Sequence, residues 1–139
     1  MVREVHWRGR CIGVGGAVVR DVRVLVVDDH ESFRRAVSAV VDDTDGFVIV
    51  GSAATGEQSL ELQSEVGADL VLMDVNLPGI NGLEAARQLS EGADPPVVVL
   101  LSTYDPGEFE YNECGATAYI TKGEFGPDRL IDVWSKATA

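Results

Sequence analysis

Short apolar runs and amphipathic stretches alternate along the chain from residue 22 onward. The runs VRVLVV (22–27) and FVIVGSA (47–53) are rich in β-branched residues, which is typical of buried strands. Between them, ESFRRAVSAVVDD (31–43) places apolar residues at helical spacing with charges in between. This part of the chain therefore predicts a strand, a helix and a second strand.

The same alternation continues toward the C-terminus. Because the predicted strands are continuous apolar runs separated by helices, they indicate an α/β fold of three layers, with a five-stranded parallel sheet covered on both faces. Phe33 and Trp134 are predicted core residues, and Leu130, Ile131 and Trp134 are predicted to form the apolar face of the last helix. The remaining predicted strands are DLVLMD (69–74), PPVVVLLS (95–102) and ATAYIT (116–121), and the remaining helices are GEQSLELQSEV (56–66), GLEAARQLS (82–90) and GPDRLIDVWSKA (126–137).

Two segments fit this pattern poorly. The stretch between the fourth and fifth strands contains Pro106 and Gly107 and has weak apolar spacing, which predicts a short or irregular helix. Residues 1–20 are a basic stretch followed by a short glycine-rich apolar run, without a signal-peptide cleavage motif or a complete phosphate-binding loop. We expect residues 1–20 to be a poorly ordered N-terminal extension and residues 21–139 to form the domain.

Chain length, net charge and cysteine content limit the classes of function that the protein can have. A length of 139 residues suits one domain, and a formal net charge of -12 argues against a nucleic-acid-binding surface. Cys11 and Cys114 show no spacing typical of a metal or redox site, which favours free thiols in a reducing compartment. We therefore expect a cytoplasmic protein that binds neither DNA nor membranes.

Charged and hydroxyl residues follow four of the five predicted strands. Asp28 and Asp29 end the first, Asp74 the third and Ser102 the fourth, while Lys122 follows the fifth. In an open parallel sheet, ligands bind beyond the carboxyl ends of the strands. We therefore expect these five residues to lie at one edge of the sheet.

Three carboxylates at one edge repel one another and raise one another's pKa. A hard divalent cation relieves this repulsion, and Mg²⁺ prefers a few carboxylates together with water and phosphate oxygens. A nearby lysine can contact an incoming anion, so the pattern indicates a site for Mg²⁺ and a phosphoryl group. The alternative is that each acid only caps the helix that follows it.

Four motifs in this order and spacing are VLVVDD, DLVLMDVNLPGINGLEAAR, PVVVLLST and AYITK. With them, residues 22–136 resemble the receiver domain of two-component response regulators. The stretches DDHESFRRAV, GLEAAR and STYD are most similar to the LuxR/NarL-type subfamily, whose members often carry a helix-turn-helix output domain. The resemblance implies a doubly wound, flavodoxin-like (CheY-like) fold with strand order 2-1-3-4-5.

The resemblance also implies roles at the predicted edge. Asp74 corresponds to the aspartate that accepts a phosphoryl group from a sensor histidine kinase or phosphotransfer protein. Asp28, Asp29 and Asp74, with the backbone carbonyl of Asn76, correspond to the Mg²⁺ ligands. The implied signalling partners are that phosphodonor and an unidentified downstream protein.

Three further residues correspond to the parts of the family that sense the phosphate. Lys122 resembles the lysine that contacts the phosphoryl group. Ser102 resembles the hydroxyl residue that turns toward it, and Tyr119 resembles the aromatic whose rotation accompanies that turn. Ser102 and Tyr119 are therefore the predicted switch pair.

The sequence departs from the family pattern in two places. The segment between Ser102 and Lys122 is shorter than is typical, in a region that forms a main output surface of the family. No output domain follows the last predicted helix, so we expect a stand-alone receiver, with a fragment as the alternative. We expect a monomer or a weak homodimer.

Three functions compete at this point. The leading one is a phosphorylatable signalling module, and the second is a pseudo-receiver that binds partners without phosphorylation. The third is a phosphatase with an aspartyl nucleophile, which would want an acid or base two residues after Asp74, where Asn76 stands. We therefore expect that the chain is not an enzyme in the usual sense.

Overall fold

The structure, a computed structural model, describes the backbone of residues 12–14 and 17–19 and the whole of residues 20–103 and 114–138. The irregular helix predicted around Pro106 and Gly107 lies outside the described residues, as do most of the N-terminal extension and Cys11. Two short strands, β1 (Ile12–Val14) and β2 (Ala17–Val19), pair in antiparallel fashion. The sequence pattern did not predict them.

Five further strands form one parallel sheet. They are β3 (Val22–Val27), β4 (Phe47–Ala53), β5 (Leu70–Asp74), β6 (Val97–Ser102) and β7 (Ala118–Thr121). Their order in the sheet is β4-β3-β5-β6-β7, with every pairing parallel. The predicted α/β class and the strand order 2-1-3-4-5 are thereby confirmed.

Four α-helices are described, and three of them begin at a side-chain cap or a helix-compatible proline. The four helices are α1 (Glu31–Asp43), α2 (Gly56–Val66), α3 (Gly82–Ser90) and α4 (Pro127–Ala137). The Thr55 side chain accepts a hydrogen bond from the backbone of α2, and the Asn81 side chain does the same for α3, so each satisfies a free amide at the helix start. Pro127 opens α4, where its missing amide costs nothing.

Both faces of the sheet are buried. Successive side chains of a strand point to opposite faces, so alternate residues enter two separate apolar clusters. One cluster packs under α2 and α3 and includes Leu25, Val71, Met73, Leu100 and Leu89. The other cluster packs under α1 and α4 and includes Val24, Leu72, Leu101, Val37 and Leu130. This two-sided burial explains why the strands are continuous apolar runs rather than alternating ones.

The apolar face of α4 differs from the prediction at one residue. Leu130 and Val133 are buried and Trp134 packs partly against the sheet, but Ile131 is 44% exposed. Consecutive residues of an α-helix are separated by about 100°, so Ile131 turns away from the face that Leu130 presents to the core. The predicted inclusion of Ile131 in that face was therefore wrong.

Candidate functional site

The parallel register brings the carboxyl ends of β3, β5, β6 and β7 to one edge of the sheet. Val27 pairs with Met73, Asp74 with Leu101, and Ser102 with Thr121. The residues that end or directly follow these strands therefore lie along the same edge, as the sequence predicts.

Asp28 follows β3 and is a buried carboxylate, 1% exposed. Its Oδ1 accepts a hydrogen bond of 2.8 Å from the backbone amide of His30. Its Oδ2 lies 2.7 Å from Lys122 Nζ, an ion-pair contact, yet this oxygen accepts no hydrogen bond of good geometry from any described residue. Asp28 thus carries a buried oxygen that contacts Lys122 as an ion pair and accepts no hydrogen bond from the described residues.

Asp74 is the last residue of β5 and is 3% exposed. Lys122 Nζ lies 3.5 Å from its Oδ1, and the backbone amide of Asn76 donates to the same oxygen over 3.4 Å. Burial, and after it the charge of Asp28, raises the pKa of Asp74 above its ordinary value, while Lys122 opposes the rise. The ionised form of Asp74 is therefore disfavoured in the folded protein.

Lys122 is the only described lysine at this edge, and it is held from three sides. Its ammonium group lies between the carboxylates of Asp28 and Asp74 and 4.3 Å from the centroid of the Phe33 ring. A cation over an aromatic face is attracted by the ring quadrupole. The sequence predicted Phe33 as a core residue; it does pack at the margin of the cluster under α1 and α4, but its contact with Lys122 was missed.

Asp29 and His30 complete the acidic cluster on its solvent side. The Asp29 side chain is 35% exposed and the His30 ring is 68% exposed. His30 Nδ1 lies 3.2 Å from Asp28 Oδ1 and 3.1 Å from Asp29 Oδ1. Sequence reasoning missed His30, because a single histidine carries no spacing signal; its adjacency to Asp29 was the only available indication.

The donor set fits a divalent cation. One ligand atom each from Asp28, Asp29, His30 and Asp74 lies within 4.8 Å of the others. Carboxylate oxygens are the ligands that hard cations prefer, and the buried Asp28 Oδ2 has no hydrogen bond from the described residues. This cluster could therefore hold a metal ion, although Asn76, the other predicted ligand, is placed here only by its backbone contact with Asp74.

Ser102 and Tyr119 are both buried residues of the sheet. Ser102 ends β6 and is fully buried, and Tyr119 is a buried residue of the cluster under α2 and α3. Leu100 belongs to that same cluster, so strand alternation places Ser102 on the face of the sheet that carries Tyr119. Their role as a switch pair stays a prediction.

The loop after Asp74 is held by close backbone packing. The backbone amide of Gly82 donates to the Val75 carbonyl over 2.8 Å, and the amide of Ile80 donates to Glu57 Oε2 over 3.2 Å. A Cβ atom at Gly82 would overlap the carbonyl oxygen of Asp74. The first turn of α3 thus fixes the backbone that carries Asp74.

We expect Gly82→Ala to destabilise the domain by about 1–3 kcal/mol, the usual cost of overpacking. The added methyl group has to displace the Asp74 and Val75 backbone rather than a flexible side chain. Gly123→Ala is the matched control, because a Cβ atom there meets nothing within 4 Å. Equal free energies of unfolding for the two variants in urea titrations would contradict the packing described for Gly82.

Comparison with known proteins identifies the fold and the family. The sequence profile of the family described as response regulator receiver domain matches residues 24–134. The receiver domain of NarL from Mycobacterium tuberculosis superposes with a TM-score of 0.75 at 29% identity, covering 81% of this chain and 95% of that one. Chemotaxis response regulator CheY4 of Vibrio cholerae superposes with a TM-score of 0.73 at 27% identity, covering 84% and 98%.

A curated relative supports the same assignment. Response regulator GacA of Pseudomonas aeruginosa is 43% identical over 104 residues, which are 73% of this chain and 49% of the relative. The chain thus spans about half the length of that relative. The resemblance to receivers of the LuxR/NarL type is confirmed, and the chain belongs to the response regulator receiver domain family of two-component systems.

Proposed function

We propose that this receiver accepts a phosphoryl group on Asp74 from a sensor histidine kinase or a phosphotransfer protein. The observation that carries the proposal is the position of Lys122, whose ammonium group lies within 3.5 Å of both Asp28 and Asp74. A buried carboxylate beside a cation and two further acids is suited to attack on a phosphoryl group once its charge is balanced. The donor is then a phosphorylated histidine of the partner.

The transfer balances as a simple displacement. A carboxylate oxygen of Asp74 forms the new bond to phosphorus, the bond from phosphorus to the donor imidazole nitrogen breaks, and that nitrogen keeps the electron pair. Lys122 carries three N–H donors, so an oxygen of the transferred group can be bound alongside its acid partners. Asp74 thereby becomes an acyl phosphate, which adds charge and acceptor oxygens to the edge of the sheet.

Asp28, Asp29 and Asp74, with the backbone carbonyl of Asn76, are the residues that would hold Mg²⁺. When bound, Mg²⁺ supplies positive charge against the phosphoryl oxygens and lowers the repulsion they meet from the carboxylates. The raised pKa of Asp74 supports this proposal, because burial and then the charge of Asp28 disfavour its ionised form, and a bound cation would favour that form.

The signal then leaves the site through a shift between two conformations. The acyl phosphate offers oxygens that the buried hydroxyl of Ser102 can bind, and Tyr119 lies on the same face of the sheet. Ligands and modifications act by stabilising one of two states that the protein already populates. We propose that a downstream protein reads the state in which Ser102 and Tyr119 have moved.

The site supports two other functions less well than phosphoryl transfer. A pseudo-receiver that acts without phosphorylation has no need of a buried carboxylate paired with Lys122, so the site geometry does not favour it. A phosphatase would want an acid or base two residues after Asp74, where Asn76 stands. We propose that the chain hydrolyses only its own acyl phosphate, and that it is therefore not an enzyme in the usual sense.

The proposal is tested by intact-mass measurement after incubation with acetyl phosphate. The wild-type chain should gain the mass of one phosphoryl group when Mg²⁺ is present and none when the ion is removed with EDTA. A chain that binds Mg²⁺ but gains no mass from acetyl phosphate or from any phosphorylated kinase would contradict the proposal and favour the pseudo-receiver.

Asp29→Ala separates metal binding from structural capping. We expect the variant to lose most Mg²⁺ affinity, yet to melt no lower than wild type in metal-free buffer, because it removes one of three mutually repelling carboxylates. Calorimetric Mg²⁺ titration and thermal melts with EDTA measure the two effects. A large fall in melting temperature without metal would show that Asp29 is chiefly structural.

The charge of the chain leads to a further expectation. At a net charge of -12, it should show no sequence-specific DNA binding at physiological salt, since such binding depends on basic side chains that neutralise phosphates. Electrophoretic mobility shifts on a library of promoter fragments check this, and a salt-resistant shift would refute it.

In the part of the chain that the structure covers, no helix combines the length and apolarity needed to cross a membrane. We propose that the receiver acts in the cytoplasm.

A further inference from the structure

His30 occupies a fixed place beside the acidic cluster, and the proposed phosphotransfer chemistry does not use it. Its backbone amide donates to Asp28 Oδ1 over 2.8 Å, and its carbonyl accepts from the amides of Phe33 and Arg34 at the start of α1. The backbone of His30 is therefore held from both sides. The ring, although 68% exposed, places Nδ1 within 3.2 Å of both Asp28 and Asp29.

The cluster presents a mixed donor set. Three carboxylate oxygens and one imidazole nitrogen lie within 4.8 Å of one another. Asp28, one of the carboxylates of this cluster, also carries the buried Oδ2, which lies 2.7 Å from Lys122 Nζ and accepts no hydrogen bond from the described residues. The site therefore has a nitrogen donor where an all-oxygen magnesium site has none.

Nitrogen and oxygen donors select different ions. Mg²⁺ favours oxygen ligands and keeps several waters, so an imidazole adds little to its binding. Imidazole suits first-row transition ions, whose affinity for a given site rises from Mn²⁺ through Co²⁺. A histidine at the cluster should accordingly change which ion is held more than how strongly Mg²⁺ is held.

We propose that His30 Nδ1 is a metal ligand of this receiver and that it gives the site a preference for transition-metal ions such as Mn²⁺ and Co²⁺ over Mg²⁺. Asp28, Asp29, Asp74 and His30 would together hold the ion. This inference rests on the proposed cation site, and it concerns the selectivity of that site rather than the phosphoryl transfer.

The first test compares ion affinities by calorimetry on the full chain at one fixed pH. His30→Asn removes the imidazole but keeps a side chain that caps helices well, so α1 should be preserved. The variant should lose about tenfold or more of its Co²⁺ affinity, comparable to the loss of a supporting ligand contact, with little change for Mg²⁺. His6→Asn is the matched control and should leave both affinities unchanged.

The second test detects the nitrogen directly. Pulsed electron paramagnetic resonance of the Mn²⁺-loaded chain should show imidazole ¹⁴N modulation that disappears in His30→Asn and in His30→Ala and persists in His6→Asn. Mg²⁺ and Mn²⁺ binding without this modulation, or with modulation that survives loss of His30, would overturn the inference and leave the proposed function standing. Failure of the chain to bind any of the three ions would overturn both.

Discussion

Replacing Asp74 with asparagine is expected to abolish phosphorylation by acetyl phosphate. The amide is nearly isosteric with the carboxylate, but it is not a nucleophile toward phosphorus, so labelling should fall to background. Asp128→Asn, at the exposed start of α4, is the matched control and should be labelled as wild type is. Labelling of the Asp74 variant at the wild-type level in the intact-mass measurement would refute the assignment of the acceptor.

The same substitution should stabilise the fold at neutral pH in metal-free buffer. The folded-state pKa of Asp74 is raised above its ordinary value of 3.8, so ionising it costs stability. This cost is absent at pH values below the ordinary pKa. It grows as the pH rises from the ordinary pKa to the raised folded-state pKa, and it stays constant above that. Asp74→Asn should therefore be more stable than wild type at pH 7.5, and this gain should shrink toward zero near pH 4. Urea titrations at both pH values measure the difference, and an equal gain at both would show that the raised pKa is not its cause.

Replacing Lys122 with methionine should have a large effect on both chemistry and stability. Methionine keeps much of the volume but leaves the carboxylates of Asp28 and Asp74 without their shared cation. Removing one partner of a buried ion pair typically costs about 3–5 kcal/mol, and partial exposure of Lys122 places this case at or below the low end of that range. Phosphorylation by acetyl phosphate should fall sharply as well, because the anion loses its lysine contact.

Two further variants identify the cause of that loss. Lys136→Met is the matched control, because Lys136 is 77% exposed in its pair with Asp132 and such pairs contribute little. The double substitution Lys122→Met with Asp28→Asn should regain much of the lost stability, since it removes one of the two charges left without a cation. If the Lys122 and Lys136 variants unfold at the same urea concentration, the buried charge cluster is not what Lys122 stabilises.

The edge that carries the site follows from sequence because parallel strands leave few options. Each of the runs ending at Val27, Asp74 and Ser102 is too apolar to lie anywhere but inside, and a parallel sheet brings their carboxyl ends together. The predicted helices 56–66 and 82–90 match the observed α2 and α3, whose starts are capped by the preceding Thr55 and Asn81. The helix ranges depend on residues close in sequence, and the position of the site depends only on the direction of the strands.

The features that sequence reasoning missed depend on which side chains meet across elements. The contact of Phe33 with Lys122 joins α1 to the end of β7, and no periodicity within either element indicates it. The approach of His30 to two carboxylates depends on where α1 begins, and the exposure of Ile131 depends on how α4 rotates on the sheet. The sequence therefore predicts the type of each of these elements, but not the direction in which their side chains point once the elements have packed together.

Chemical mapping of the phosphorylated residue is the most direct test of Asp74 as the acceptor. Borohydride reduces an aspartyl phosphate to homoserine, which tandem mass spectrometry locates in the peptide sequence. After incubation with acetyl phosphate and Mg²⁺, homoserine should be found at position 74 and at neither Asp28 nor Asp29. Homoserine at one of those two residues, or phosphorylated chain without homoserine at position 74, would contradict the proposed site.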